Sequence, residues 1–219
     1  MLNQISYAEA IELAFYGASG IEQLRRSPRI GLKPLISQLK KPVTVSDLVF
    51  IIAPRINAAG RMGNALNAVK LLVEKESNSA QQLAISIEAL NSERRITDER
   101  ITKEALTLIE NLNDQEKYST VVYGENWHKG VIGIVASRLI ETYYRPTIVF
   151  TKSGDFLTAS ARSVRGFDIY QALEKCSQYI EQFGGHKYAA GLSIKLSLIH
   201  ISEPTRPRLI AYAVFCLKK

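Results

Sequence analysis

The sequence predicts an α/β protein in three parts: a helical front segment (residues 1–75), one long helix (76–115) and a small α/β domain (116–195). Two patterns predict this. Apolar residues alternate at four- and three-residue spacing for about 30 residues in the middle of the chain, as one face of a helix requires. From Ser119 the period changes to short β-rich runs alternating with helical ones, the mark of an α/β unit. The chain has 219 residues, 46% hydrophobic and 22% charged. That is an ordinary soluble composition with room for one large domain or two small ones.

Taken in order, Asn3–Gln23 has helical spacing (Ile5, Ala8, Ile11, Phe15) up to a break at Gly17-Ala-Ser-Gly20. Ser27-Pro28 is turn chemistry, Leu32–Leu39 a short helical run closed by Lys40-Lys-Pro42, and Thr44 an N-cap before Leu48–Ile52. Ala65–Val73 is a helix. Ser79 with Gln82 resembles a capping box opening the long helix, whose stripe is Leu83, Ile87, Leu90, Ile101, Ala105, Leu108 and Leu112. Arg94 and Thr97 interrupt it midway, as suits a connector docked at each end rather than a coiled coil with an unbroken seam. Its length is about 45–50 Å at ~1.5 Å per residue. Beyond it come a strand (Thr120–Tyr123), a helix (Val131–Tyr144), two strands (Thr147–Thr151, Phe156–Ala161), a helix (Asp168–Phe183) and a last strand (Gly191–Ile194).

Charge and composition narrow the functional classes. The formal net charge is +7, which favours polyanionic partners. Between Arg25 and Arg61 eight basic residues face one acid, Asp47. No apolar run reaches the ~18 residues of a membrane span, and no signal peptide is evident. Two cysteines, Cys176 and Cys216, are too few for a disulfide framework or a zinc site. The expectation is a cytoplasmic, monomeric protein with no membrane partner. Leu196–Arg206 (LSLIHISEPTR) resembles translated sequencing-adapter sequence, so residues 196–219 are expected to be a non-native tail. Setting them aside removes four basic residues and one acid, taking the charge from +7 to +4.

Three stretches carry candidate chemistry. Gly184-Gly185-His186, expected as a turn, lets a ligand approach the backbone. Ser160, Arg162 and Ser163 lie along a strand and its end, with Ser160 and Arg162 on one face. Arg55-Ile-Asn57-Ala-Ala-Gly60-Arg61 sets two arginines around small residues. Arg, His, Ser and Asn donate hydrogen bonds to phosphate oxygens, so these residues are expected to meet on a nucleic-acid backbone. His128, before a predicted helix, reads equally as a cap or an anion ligand. Its neighbour Trp127 reads as core, with base stacking the alternative. Outside the tail the only histidines are His128 and His186, and no Asp-x-Asp, His-His or His-Glu-x-x-His cluster occurs. A two-metal site needs several such ligands. The chain is therefore expected to bind no metal and to hold no catalytic residue.

The stretches APRINAAGRM (53–62), WHKGVIGIVASRL (127–139), RPTIVF (145–150), SARSVRGFD (160–168) and FGGHKYAAGLSI (183–194) resemble the bacterial RecJ single-stranded-DNA exonucleases of the DHH/DHHA1 phosphoesterase superfamily. The resemblance implies that 1–75 is the rear of a DHH domain and 116–195 a DHHA1 domain. It implies a 5′→3′ single-stranded-DNA exonuclease of recombination and repair, its Mn²⁺ or Mg²⁺ held by an Asp-His-His set absent from this sequence. It also implies that Arg55 and Arg61 sit near a domain cleft, and that Ser160, Arg162 and His186 hold DNA phosphates. The alternatives are a phosphodiesterase for oligonucleotides or cyclic dinucleotides, which shares the Gly-Gly-His stretch, and a non-catalytic nucleic-acid-binding module.

Overall fold

The structure, a computed structural model, describes residues 19–111 and 118–195. The expected tail and the first helix up to residue 18 lie outside the described residues. The chain divides into two compact units, residues 1–94 and 95–219, and the long helix contributes to both.

The first unit is helical. Pro34 sits at the start of the short helix Lys33–Ile36, where its missing N–H costs nothing. Thr44 and Asp47 form a reciprocal capping box: the Asp47 N–H donates to Thr44 Oγ1, and the Thr44 N–H donates to Asp47 Oδ2. A π-turn over Leu48–Ile52 leads into α1 (Ala53–Met62) and then α2 (Ala65–Val73). Asn64 caps α2 by accepting from the Leu66 N–H. Leu35, Val43, Ile52, Ala59, Ala68 and Leu71 form a core with Ala80, Ala84 and Ile87 from the front of α3 (Ser77–Asn111).

Helix α3 begins two residues before the expected cap. Glu74 and Glu76 serve its N-terminus instead, their carboxylates accepting from the Ser79 hydroxyl and the Ser79 N–H. Its buried stripe runs through Ala80, Ala84, Ile87, Asn91, Asp98, Ile101, Ala105 and Ile109. The predicted Leu108 is 38% exposed. A strict seven-residue count lags a straight helix by about 20° per heptad, so over three heptads the stripe passes from position 108 to 109. Polar residues do occupy the middle, but two of them, Asn91 and Asp98, are buried. Asp98 has no exposed side-chain surface and accepts from Arg138 Nη2 at 2.7 Å.

In the second unit, five strands form one sheet in the order β1-β2-β3-β5-β4. They are β1 (Thr120–Gly124), β2 (Thr147–Ser153), β3 (Phe156–Arg162), β4 (Gln182–His186) and β5 (Ala189–Lys195). β1 and β2 are parallel, joined through α4 (Ile132–Tyr143), and the other pairs are antiparallel. Arg145, between α4 and β2, is buried, donates from Nε to Thr120 Oγ1 at 2.6 Å and lies under the Tyr143 ring. Its burial lowers its pKa from the usual guanidinium value.

The sequence expectation differs from the structure at the Gly-Gly-His stretch. The helix expected over Asp168–Phe183 is only α5 (Ile169–Glu174), and Gly184-Gly185-His186 lies on β4, paired to β5, with Lys187-Tyr188 as the turn. The apolar spacing of Ile180 and Phe183 misled because both pack on the α5 side from outside that helix. Two adjacent glycines also disfavour helix.

Candidate nucleic-acid interface

The alternation of β3 divides the sheet into two surfaces. Leu157, Ala159 and Ala161 are buried with Ile148, Phe150, Ala190, Leu192 and Ile194 against Ile169, Ala172 and Leu173 of α5. Ser160 and Arg162 point to the opposite face. The register puts Ser160 in line with Gly191 and Gly184, and Arg162 in line with Ala189 and His186. Arg162 and His186 are thus two strands apart, about 10 Å between backbones. Between them the floor is made only of Gly184, Ala189 and Gly191. A Cβ at Gly184 would meet nothing within 4 Å, and one at Gly191 only the Ala159 carbonyl at 3.8 Å. The result is a flat strip with donors at both ends.

Local bonds fix those donors. Arg162 Nη1 donates to Ser160 Oγ (3.0 Å) and to the Ala161 carbonyl (2.8 Å). Ser160 accepts that bond, and its own proton remains available to a ligand. The Tyr188 N–H donates to His186 Nδ1 at 3.3 Å, so the neutral ring carries its proton on Nε2, away from the turn. Gly185 has φ +152°, and a Cβ there would lie 2.3 Å from the Ala189 carbonyl. Gly185 is therefore required by the hairpin itself, whereas Gly184 adds to the flatness of the floor.

The position that sequence reasoning missed is Gly133, in the first turn of α4. A Cβ on Gly133 would stand 2.9 Å from Arg162 Nη2 and 3.0 Å from Ser160 Oγ. The helix start can approach the Ser160–Arg162 pair only because no side chain intervenes. The signal was present in the sequence, as a glycine inside an otherwise apolar helical run.

Other predicted residues have structural occupations. His128 shapes the turn that precedes α4: its Nδ1 accepts from the Gly130 N–H (3.1 Å), and its carbonyl accepts from Val131 and Ile132. The Gly130, Val131 and Ile132 amides are thus engaged within the turn, and the neutral His128 ring carries its proton on Nε2. Ser163 donates from Oγ to the Phe167 carbonyl at 2.9 Å and closes its loop. Trp127 is buried and donates from Nε1 to Glu104 Oε2 at 2.7 Å, which leaves no ring face for a base to stack on. That bond, more than the neighbouring Arg100, holds the Glu104 carboxyl below its usual pKa.

In the first unit, Arg55 donates from Nε to Glu88 of α3 and from Nη1 to the Ile51 carbonyl. Asn57 and Arg61 are four residues apart on one exposed face of α1, about 200° around from Arg55. The two arginines of that motif therefore do not share a face. Among the described residues no three His, Cys, Asp or Glu side chains cluster to hold a metal ion, so no step through a metal is assigned to them. No described helix is long and apolar enough to cross a membrane.

The chain is similar to known proteins over most of its length. Residues 115–205 match the DHHA1 domain family. The single-stranded-DNA-specific exonuclease RecJ of Bacillus subtilis is 39% identical over 181 residues, covering 80% of this chain and 23% of the relative. The Escherichia coli RecJ is 37% identical over 188 residues, covering 80% and 33%. A crystal structure of RecJ from Thermus thermophilus in complex with Mn²⁺ superposes with a TM-score of 0.78 at 28% identity, over 91% of this chain and 29% of that one. A second RecJ structure, bound to manganese, gives 0.75 at 28% identity over 91% and 48%. The chain thus spans about a quarter to a third of the curated relatives it matches. Its described residues form a helical segment, a long helix and an α/β domain within the DHHA1 match, and over four-fifths of its length the chain is similar to one part of the RecJ exonucleases.

Proposed function

We propose that this chain is the part of a RecJ-type 5′→3′ single-stranded-DNA exonuclease that grips the sugar–phosphate backbone, in a cytoplasmic, monomeric enzyme of DNA recombination and repair. The observation that carries this reading is the strip of small residues, Gly184, Ala189 and Gly191, beside the Ser160–Arg162 pair and His186. A strip with no side chain larger than a methyl admits a sugar–phosphate chain without selecting a base. Phosphate contacts position a strand and carry no sequence information. Arg162 and His186 supply the donors, and Ser160 steadies the guanidinium. In the same reading Arg55, Asn57 and Arg61 of α1 contribute phosphate contacts within the first unit. The Mn²⁺ or Mg²⁺ of the complete enzyme acts through ligands other than these residues, whose part is to hold the scissile phosphodiester in orientation.

The test is binding of dye-labelled oligothymidylate by fluorescence anisotropy. Arg162→Ala removes charge-assisted hydrogen bonds worth about 1.5–3 kcal/mol each, so affinity should fall roughly ten- to hundredfold with the thermal midpoint unchanged. Undiminished affinity in a folded Arg162→Ala protein removes the strip from the interface.

A further inference from the structure

A second cluster of cations lies in the first unit. A cleft of about 560 Å³ is lined by Lys40, Lys41, Thr44, Ser46, Asp47 and Arg55. It is ample for one nucleotide's phosphate and sugar. Its charged groups have different commitments. Arg55 is paired with Glu88. Asp47 is engaged by Thr44, which donates to Oδ2 from both hydroxyl and N–H. Those bonds, with Lys41 nearby, hold its carboxyl below the usual pKa, so it stays ionised. Lys40 and Lys41 are exposed, and neither has an ion pair or hydrogen bond among the described residues. The cleft therefore carries two exposed ammonium groups, partly offset by the ionised Asp47, beside the Arg55–Glu88 pair, and its balance stays positive. The cleft along the rear of α3 differs, with Arg100 and Lys103 offset by Glu104 and Glu125.

We propose that this cleft is a phosphate-contact site for a nucleic-acid strand, additional to the row of Ser160, Arg162 and His186; it rests on the reading of the chain as a nucleic-acid binder. The chemistry favours a polyanion over a single small anion. Exposed lysines are mobile, strongly hydrated point charges without the fixed fork of an arginine, so they hold an isolated phosphate poorly. Along a strand each neutralised phosphate releases condensed counterions, and that gain does not depend on exact placement. Adjacent lysines on the rim of a polar cleft suit a backbone whose register is not fixed.

Counterion release also supplies the measurement. For single strands, log K against log salt has a slope of about −0.7 per phosphate neutralised. The Lys40→Gln/Lys41→Gln protein, titrated with dye-labelled oligothymidylate from about 50 to about 200 mM salt, should show a slope shallower by about 1.4. The thermal midpoint should not move, and Lys40→Arg/Lys41→Arg should retain the parent slope. An unchanged slope in the glutamine variant overturns the inference. So does an equal slope change with polyglutamate as the probe, which would mark a surface indifferent to nucleic acid. The two readings fail separately. If Arg162→Ala weakens binding while the lysine variant keeps the parent slope, only this site is lost. If the parent chain binds no oligothymidylate at all, both fall.

Discussion

The two ends of the five-stranded sheet come from similar strand sequences but are covered differently. β2 is buried on both faces from Thr147 to Thr151, with α4 against one side and the α5 core against the other. β3 and β5 alternate between buried and partly or fully exposed positions: the α5 side is closed over both, whereas on the other face the start of α4 reaches Ser160 and Arg162 of β3. At the covered end both sets of side chains serve stability. At the other, one set is less deeply buried, and it includes Ser160, Arg162, His186 and three small residues. Burial on one side fixes the strands rigidly enough to hold donors in place on the other.

That contrast is broken most severely at the covered end. Phe150 is 1% exposed in the middle of β2, so Phe150→Ala should cost about 3–5 kcal/mol, read as a lowered midpoint in urea. Oligonucleotide affinity of the remaining folded protein should be unchanged. A specific loss of affinity at unchanged stability would mean that the two ends do not divide the work as described.

A smaller and more selective effect is expected at Gly133. Helical Gly→Ala commonly stabilises, by up to ~1 kcal/mol. Here the new methyl would stand 2.9 Å from Arg162 Nη2, closer than a carbon and a guanidinium nitrogen tolerate, so the arginine must swing away. Gly133→Ala should therefore keep or raise the thermal midpoint while lowering oligothymidylate affinity severalfold. Stability and binding moving in opposite directions would identify Gly133 as a positioning residue. A fall in both would make it a packing residue only.

How much of this was legible in the sequence depended on how local the cause was. The strand–helix alternation after Ser119 and the Thr44 cap are set by neighbouring residues, and both were readable. The Ser160–Arg162 face followed from two-residue periodicity alone. The Gly-Gly-His stretch was not readable as strand, because glycine has little intrinsic preference for it and only pairing with β5 decides. Nor were the partners of Arg55 and Trp127, although the burial of Trp127 was read correctly. Their partners Glu88 and Glu104 are 33 and 23 residues away, and no periodicity reports a contact at that range. His128 shows the same limit on a smaller scale, since nothing in its sequence position reported the bond that its Nδ1 accepts from Gly130.

The smallest expected effect tests the covered end through its polar contact. A buried indole N–H must be paired, and Trp127 meets that demand with Glu104, whereas His186 at the open end has Nε2 turned to solvent. The Glu104 carboxyl is held below its ordinary value of 4.5 by the Trp127 bond first and Arg100 second. A carboxyl whose folded pKa is depressed stabilises the fold fully above its unfolded value, and loses that contribution as pH falls through the lowered one. The window therefore lies below 4.5. Glu104 is 44% exposed, so water screens much of the effect and the shift in midpoint should be modest. Asp47 and Glu74 also have lowered values, so the parent's acid limb alone cannot isolate one group. The Glu104→Gln difference can: its amide oxygen still accepts from the indole but cannot titrate. Thermal midpoints of Glu104→Gln and parent protein should converge as pH falls below 4.5 and separate above it. Parallel curves would mean that the Trp127–Glu104 contact packs the long helix onto the sheet without electrostatic weight.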